Sequence, residues 1–122
     1  MQAAVKRILF VDDDRDVLEC LEQLFSTEYE VAVAPNGKDA VALASAHPFD
    51  LIVLDLMMPI MDGKSAALEL AARGIRTPIL VASASADLRV TARLIGAADA
   101  LLKPYDFAVM QKKIATLLAQ HP

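Results

Sequence analysis

The sequence has one cysteine and two histidines among its 122 residues. A lone cysteine excludes an internal disulfide, and Cys20, set within an apolar helical pattern, is expected to be a buried free thiol. His47 precedes a proline and has no second histidine nearby, and His121 lies in the tail, so both read as surface residues rather than metal ligands. There is no excess of basic charge: the net charge of −4 argues against a nucleic-acid surface. No apolar run approaches the roughly 18 residues that a membrane span needs. The opening MQAAVKRILFVDDD does not read as a signal peptide, because its apolar stretch is short and runs into three acids. Repeats, linkers and low-complexity tracts are also lacking. These absences predict a single cytoplasmic domain over residues 1–122, contacting neither membrane nor nucleic acid.

Hydrophobic residues, by contrast, are plentiful. Their share of 56% exceeds the ordinary range of about 45–50%, enough for a core sheathed by helices. The stretch DLIVLDLMMPIMDG, residues 50–63, is central. Leu51 to Leu54 form an unbroken apolar run suited to a strand buried on both faces, and the run stops on Asp55 before a loop containing Pro59 and Gly63.

Four more strands follow from the pattern: Lys6 to Val11, Tyr29 to Ala34 near an edge, Ile79 to Ala82, and Ala100 to Leu102. Five helices alternate with them. The first carries Val17, Leu18, Leu21, Leu24 and Phe25 on one face, with Asp14 as N-cap and Asp16 in the first turn. The second covers Lys38 to Ala46, after the turn signal Pro35-Asn36-Gly37. The third spans about Lys64 to Arg73 and closes on Gly74; the fourth spans about Asp87 to Ile95 and stops at Gly96. The last runs from about Asp106 to Ala119, with Phe107, Met110, Ile114, Leu117 and Leu118 inward. Strict alternation predicts an α/β fold, a parallel sheet with helices on both faces.

In such a sheet all strand C-termini share one edge, where chemistry collects. Asp12, Asp13, Asp55, Ser83 and Lys103 stand just beyond those ends. Two carboxylates about 4 Å apart repel by roughly 4 kcal/mol at an effective dielectric near 20, and Lys103 offsets only part of that. A hard divalent cation resolves it, so Asp12, Asp13 and Asp55 read as a metal site, with Mg²⁺ favoured over Zn²⁺ because no His or Cys is near. Open coordination positions accept phosphoryl oxygens, Lys103 adds positive charge, and Ser83 adds a donor. Asp55, the only carboxylate on the central strand, is the candidate phosphoryl acceptor.

These residues resemble the receiver domain of two-component response regulators over essentially the whole chain. ILFVDDD is similar to the acidic opening motif, LIVLDLMMPIMDG to the phosphoacceptor motif, PILVASAS to the Ser/Thr motif and GAADALLKP to the lysine motif. The resemblance implies a flavodoxin-like (βα)5 fold with strand order 2-1-3-4-5. It implies phosphorylation of Asp55 by a partner histidine kinase or phosphotransfer protein, and metal ligation by the Met57 backbone carbonyl as well. It also implies that the Met57 side chain and Ser85 tune hydrolysis of the phosphoryl group. One position departs from the family: Ala100 stands where an aromatic switch residue is usual, so the ring movement that relays phosphorylation has no ring to move. Tyr105 matches the common aromatic after the lysine-proline pair.

Two rivals belong to other classes. A Mg²⁺-dependent phosphatase of small molecules needs a cap over the strand ends, and no loop is long enough. A flavin-binding module needs a Ser/Thr/Gly-rich phosphate loop, where this chain has three aspartates. A receiver serving only as a docking surface leaves the complete acidic site without purpose. Four residues follow the last helix, so the chain is expected to be a stand-alone receiver or a fragment of a larger protein. Arg89, Arg93, Asp99, Lys112 and Lys113 mark a face of the fourth helix, fifth strand and last helix for homodimerisation or partner docking.

Overall fold

The computed structural model describes residues 5–58, 61–103 and 106–120. Five strands and five helices alternate: β1 Arg7–Val11, α1 Arg15–Phe25, β2 Glu30–Ala34, α2 Gly37–Ala46, β3 Leu51–Asp55, α3 Gly63–Ala72, β4 Ile79–Ser83, α4 Leu88–Leu94, β5 Asp99–Leu102 and α5 Phe107–Gln120. All neighbouring strands are parallel, in the order β2-β1-β3-β4-β5. This is the flavodoxin-like order that the resemblance implies, with β2 and β5 at the edges.

The two-residue strand period divides the core. Ile8, Phe10, Leu51 and Val53 face α1 and α5, against Leu18, Leu21, Phe25, Met110, Ile114 and Leu117. Leu9, Val11, Ile52 and Leu54 face the other way, against Ala40, Val41, Ala66, Ala67 and Leu70 of α2 and α3. Leu56, Val81, Leu88 and Ala92 form a smaller cluster beneath α4. Every residue of β3 is buried, so the strand that ends on Asp55 is clamped from both sides.

Side-chain caps fix where helices begin. Asp14 Oδ1 accepts the N–H groups of Asp16 and Val17, as expected. Asn36 caps α2 through Asp39 N–H, and Asp62 caps α3 through Ser65 N–H, which starts both helices one residue earlier than the apolar pattern suggests. Gly74 and Gly96, at φ +75° and +70°, close α3 and α4. In each case the following residue bonds back five positions, Ile75 to Leu70 and Ala97 to Ala92, the Schellman arrangement that favours glycine.

Three side-chain expectations fail. Cys20 is exposed, and so are Leu24 and Phe107. The buried stripe of α1 is Leu18, Leu21 and Phe25; at about 100° per residue, Cys20 points about 130° from its centre and Leu24 about 90°. Phe107 opens α5, and burial along that helix begins at Met110. Pro59, Pro104, Tyr105 and His121 lie outside the described residues.

Candidate phosphoryl and metal site

Strand register assembles the site. Val11 pairs with Leu54, so Asp12 emerges level with Asp55. Asp55 pairs with Ala82, which sets Ser83 one step further along. Ser83 in turn pairs with Leu102, and Lys103 is the next residue, its N–H bonded to the Ser83 carbonyl at 2.9 Å. Each strand thus delivers its polar residue just where its apolar run ends.

Asp12, Asp55 and Ser83 are the buried polar side chains among the described residues. The two acids are held alike. One oxygen of each accepts a backbone N–H two residues on: Asp14 N–H to Asp12 Oδ1 at 3.0 Å, and Met57 N–H to Asp55 Oδ1 at 3.1 Å. The other oxygen of each accepts from Lys103 Nζ, at 3.1 Å for Asp12 and 3.2 Å for Asp55. One ammonium therefore bridges two buried carboxylates, and Asp13 stands beside them exposed to solvent.

Burial pushes the Asp55 carboxyl above its ordinary pKa, and the charge of Asp12 adds to this; the Met57 N–H and Lys103 oppose without cancelling it. For Lys103, burial disfavours the ammonium, but Asp55 and Asp12 outweigh it and raise its pKa. Ser83 Oγ accepts the Ser85 N–H at 3.1 Å. That bond uses an acceptor lone pair and leaves the hydroxyl proton available for donation.

Carboxylate oxygens of Asp12, Asp13 and Asp55 all lie within 4.8 Å of one another. The donor set is all oxygen, with one acid open to water. This fits a hard cation that keeps part of its hydration, as Mg²⁺ does, and does not fit the nitrogen and sulfur preferences of zinc.

Two glycines serve the site in a way that apolar periodicity does not reveal. A Cβ on Gly63 would lie 2.4 Å from the Asp55 carbonyl oxygen, and one on Gly37 2.3 Å from that of Met61. Both helix starts rest directly on the backbone around the acceptor strand's exit. Met61 itself has φ +66°. A 390 Å³ cleft between α3 and α4, lined by Leu70, Ile75, Arg76, Pro78 and Ile95 among others, carries no converging carboxylates. Charge, rather than volume, marks the functional end of this sheet.

The sequence profile of the response regulator receiver domain matches residues 8–115. This chain belongs to that family. The receiver is 42% identical over 115 residues to the transcriptional regulatory protein PrrA of Mycobacterium tuberculosis, covering 92% of this chain and 49% of PrrA. It is 35% identical over 117 residues to the transcriptional regulatory protein PcoR of Escherichia coli, covering 93% of this chain and 52% of PcoR. The chain spans about half the length of these curated relatives. Among solved structures, it resembles the receiver domain of Francisella response regulator 1452, with TM-score 0.89 and 28% identity over 96% of this chain and 99% of that one. It is also similar to response regulator TrrA of Thermotoga maritima in complex with Mg²⁺ and BeF, with TM-score 0.81 and 28% identity over 93% and 99% of the two chains. Receiver domains of this family act in two-component signalling, and Mg²⁺ binding is typical of them. The phosphatase alternative finds no support among these relatives. No helix among the described residues is long and apolar enough to cross a membrane.

Proposed function

We propose that this receiver accepts a phosphoryl group on Asp55 in a Mg²⁺-dependent reaction and passes the change to a partner or output domain. The observation that carries the reading is the buried Asp55 carboxylate, paired at 3.2 Å with Lys103 and grouped with Asp12 and Asp13. An Asp55 oxygen attacks phosphorus in line; the new P–O bond forms as the P–N bond of a phosphohistidine breaks, and the imidazole leaves with the electron pair. Lys103 holds a positive charge beside the transferring oxygens, and Ser83 offers its hydroxyl proton to one of them. Asp12, Asp13 and Asp55, with the Met57 carbonyl, would hold Mg²⁺, which when bound neutralises charge on the phosphoryl oxygens.

The phosphoryl donor in this reading is a sensor histidine kinase or phosphotransfer protein, and the setting is the cytoplasm. A curated sensor histidine kinase, TmoS of Ectopseudomonas mendocina, contains a segment 32% identical to 97% of this chain. The domain turns over no external substrate and contacts neither nucleic acid nor membrane. Its charged face on α4, β5 and α5 meets a partner, with a second copy of the chain as the alternative occupant.

The test is intact-mass analysis after incubation with acetyl phosphate. One phosphoryl group should appear with Mg²⁺ present and none with the metal chelated or in Asp55→Asn. Stoichiometric labelling of that variant would overturn the assignment.

A further inference from the structure

Ala100 and Leu102 share one side of the edge strand β5, the side toward α4. A hollow of about 170 Å³ opens there, walled by Ser85, Ala86, Leu88, Arg89, Ala100 and Leu102. A second, of about 160 Å³, adjoins it and shares Arg89 and Ala100, with Arg93 on its wall. An apolar cavity of about 150 Å³ suffices to bind benzene, so the first hollow has the volume of one aromatic ring. Leu102 on its wall is 58% exposed, an apolar side chain left in water at the mouth of an open hollow, as at a contact surface.

Charge narrows the choice of partner. Beyond Asp87 the chain holds five of its twelve basic residues and only two of its sixteen acids, Asp99 and Asp106. Asp99 is already bonded to Lys113 at 3.0 Å, with Arg89 acting on it at longer range. Arg89 and Arg93 have no ion-pair partner among the described residues. A guanidinium on the wall of a ring-sized hollow suits stacking on an aromatic face, and its charge suits a carboxylate beside that ring.

We infer that the hollow beside Ala100 receives an aromatic side chain carried on an acidic segment of a partner protein. The ring fills the space that the Ala100 methyl leaves empty, and flanking carboxylates pair with Arg89 and Arg93. A second copy of this chain fits less well: its exposed Phe107 has one acid beside it, Asp106, against the two lysines Lys112 and Lys113 further along the same helix. The inference deepens the signalling reading by naming the partner's chemistry, and rests on it only for there being a partner.

The experiment uses the unphosphorylated chain, ¹⁵N-labelled, titrated with three capped pentapeptides: Asp-Glu-Phe-Glu-Asp, Asp-Glu-Ala-Glu-Asp and Lys-Arg-Phe-Arg-Lys. The acidic phenylalanine peptide should bind at least about tenfold more tightly than either control. It should shift the amides of Ser85, Leu88, Arg89, Ala100 and Leu102. Ala100→Trp, which fills the hollow, should abolish that preference. Arg89→Glu should do the same and serves if the tryptophan variant misfolds. Equal response to the three peptides, shifts centred elsewhere, or an unchanged preference in the folded variant would overturn the inference, as would shifts at these residues that track self-association on concentration. Failure of the phosphoryl reading appears separately, in the acetyl phosphate assay.

Discussion

Lys103 and Asp55 are 48 positions apart in sequence, yet Nζ lies 3.2 Å from Oδ2, and the same ammonium reaches Asp12 at 3.1 Å. Removing this cation leaves two buried carboxylates facing each other. Lys103→Met should therefore lose about 1–2 kcal/mol without metal, lowering Tm by about 3–8 °C for a domain of this size. Millimolar Mg²⁺ should restore most of the loss, because the metal supplies the missing charge. Thermal melts with and without Mg²⁺ check both statements.

Asp55→Asn should act in the opposite direction. The Asp55 pKa is raised in the fold by burial and by Asp12, so the native state holds its proton more tightly than the unfolded state. The stability linked to that proton is complete below the ordinary carboxylate range and is lost as pH rises through the raised folded value. At neutral pH without metal, Asp55→Asn should melt higher than the wild type, with the difference shrinking on acidification. Paired melts across acidic and neutral pH read the sign.

Gly63 and Gly74 separate two reasons for glycine. A Cβ at Gly63 meets backbone atoms, the Asp55 oxygen at 2.4 Å and Leu56 Cα at 2.6 Å; at Gly74 it meets nothing within 4 Å, but φ is +75°. Gly63→Ala must displace backbone and should cost about 3 kcal/mol, while Gly74→Ala pays only left-handed strain of about 1 kcal/mol. Gly63→Ala should also slow acetyl phosphate labelling, because α3 then pushes on Asp55. Urea denaturation alongside labelling rates distinguishes the two.

Met57 is predicted to set the lifetime of the modified state. Its N–H orients Asp55, while its side chain is 69% exposed and offers a thioether, a poor hydrogen-bond partner for an attacking water. Met57→Asn should shorten the phosphoryl lifetime severalfold, measured as decay of the labelled mass after acetyl phosphate is removed. Faster decay in the wild type would contradict this.

The strands were legible because each is a short apolar run with a sharp stop, and in β3 and β1 the stopping residues are the acids of the candidate site. Alternation of strand and helix then required one shared edge, which is how residues as distant as Asp12 and Lys103 were read as neighbours. The finer hold on the acids was not legible: nothing in spacing announces that Oδ1 of Asp12 and of Asp55 each takes an N–H two residues on. Cys20, Leu24 and Phe107 were misplaced because hydrophobicity does not say how wide a helix's buried stripe is, and on α1 it is only three residues across two turns. Ala100 was legible as a missing ring; the hollow beside it needed coordinates.

Mapping the modified residue tests the central claim most directly. After brief phosphorylation with acetyl phosphate and Mg²⁺, borohydride reduces an aspartyl phosphate to homoserine with loss of phosphate, marking the acceptor covalently for peptide sequencing by mass spectrometry. The account predicts homoserine at position 55, with Asp12 and Asp13 unchanged and no mark when Mg²⁺ is chelated. Homoserine at either of those acids, or phosphate on Ser83 with Asp55 intact, would contradict it.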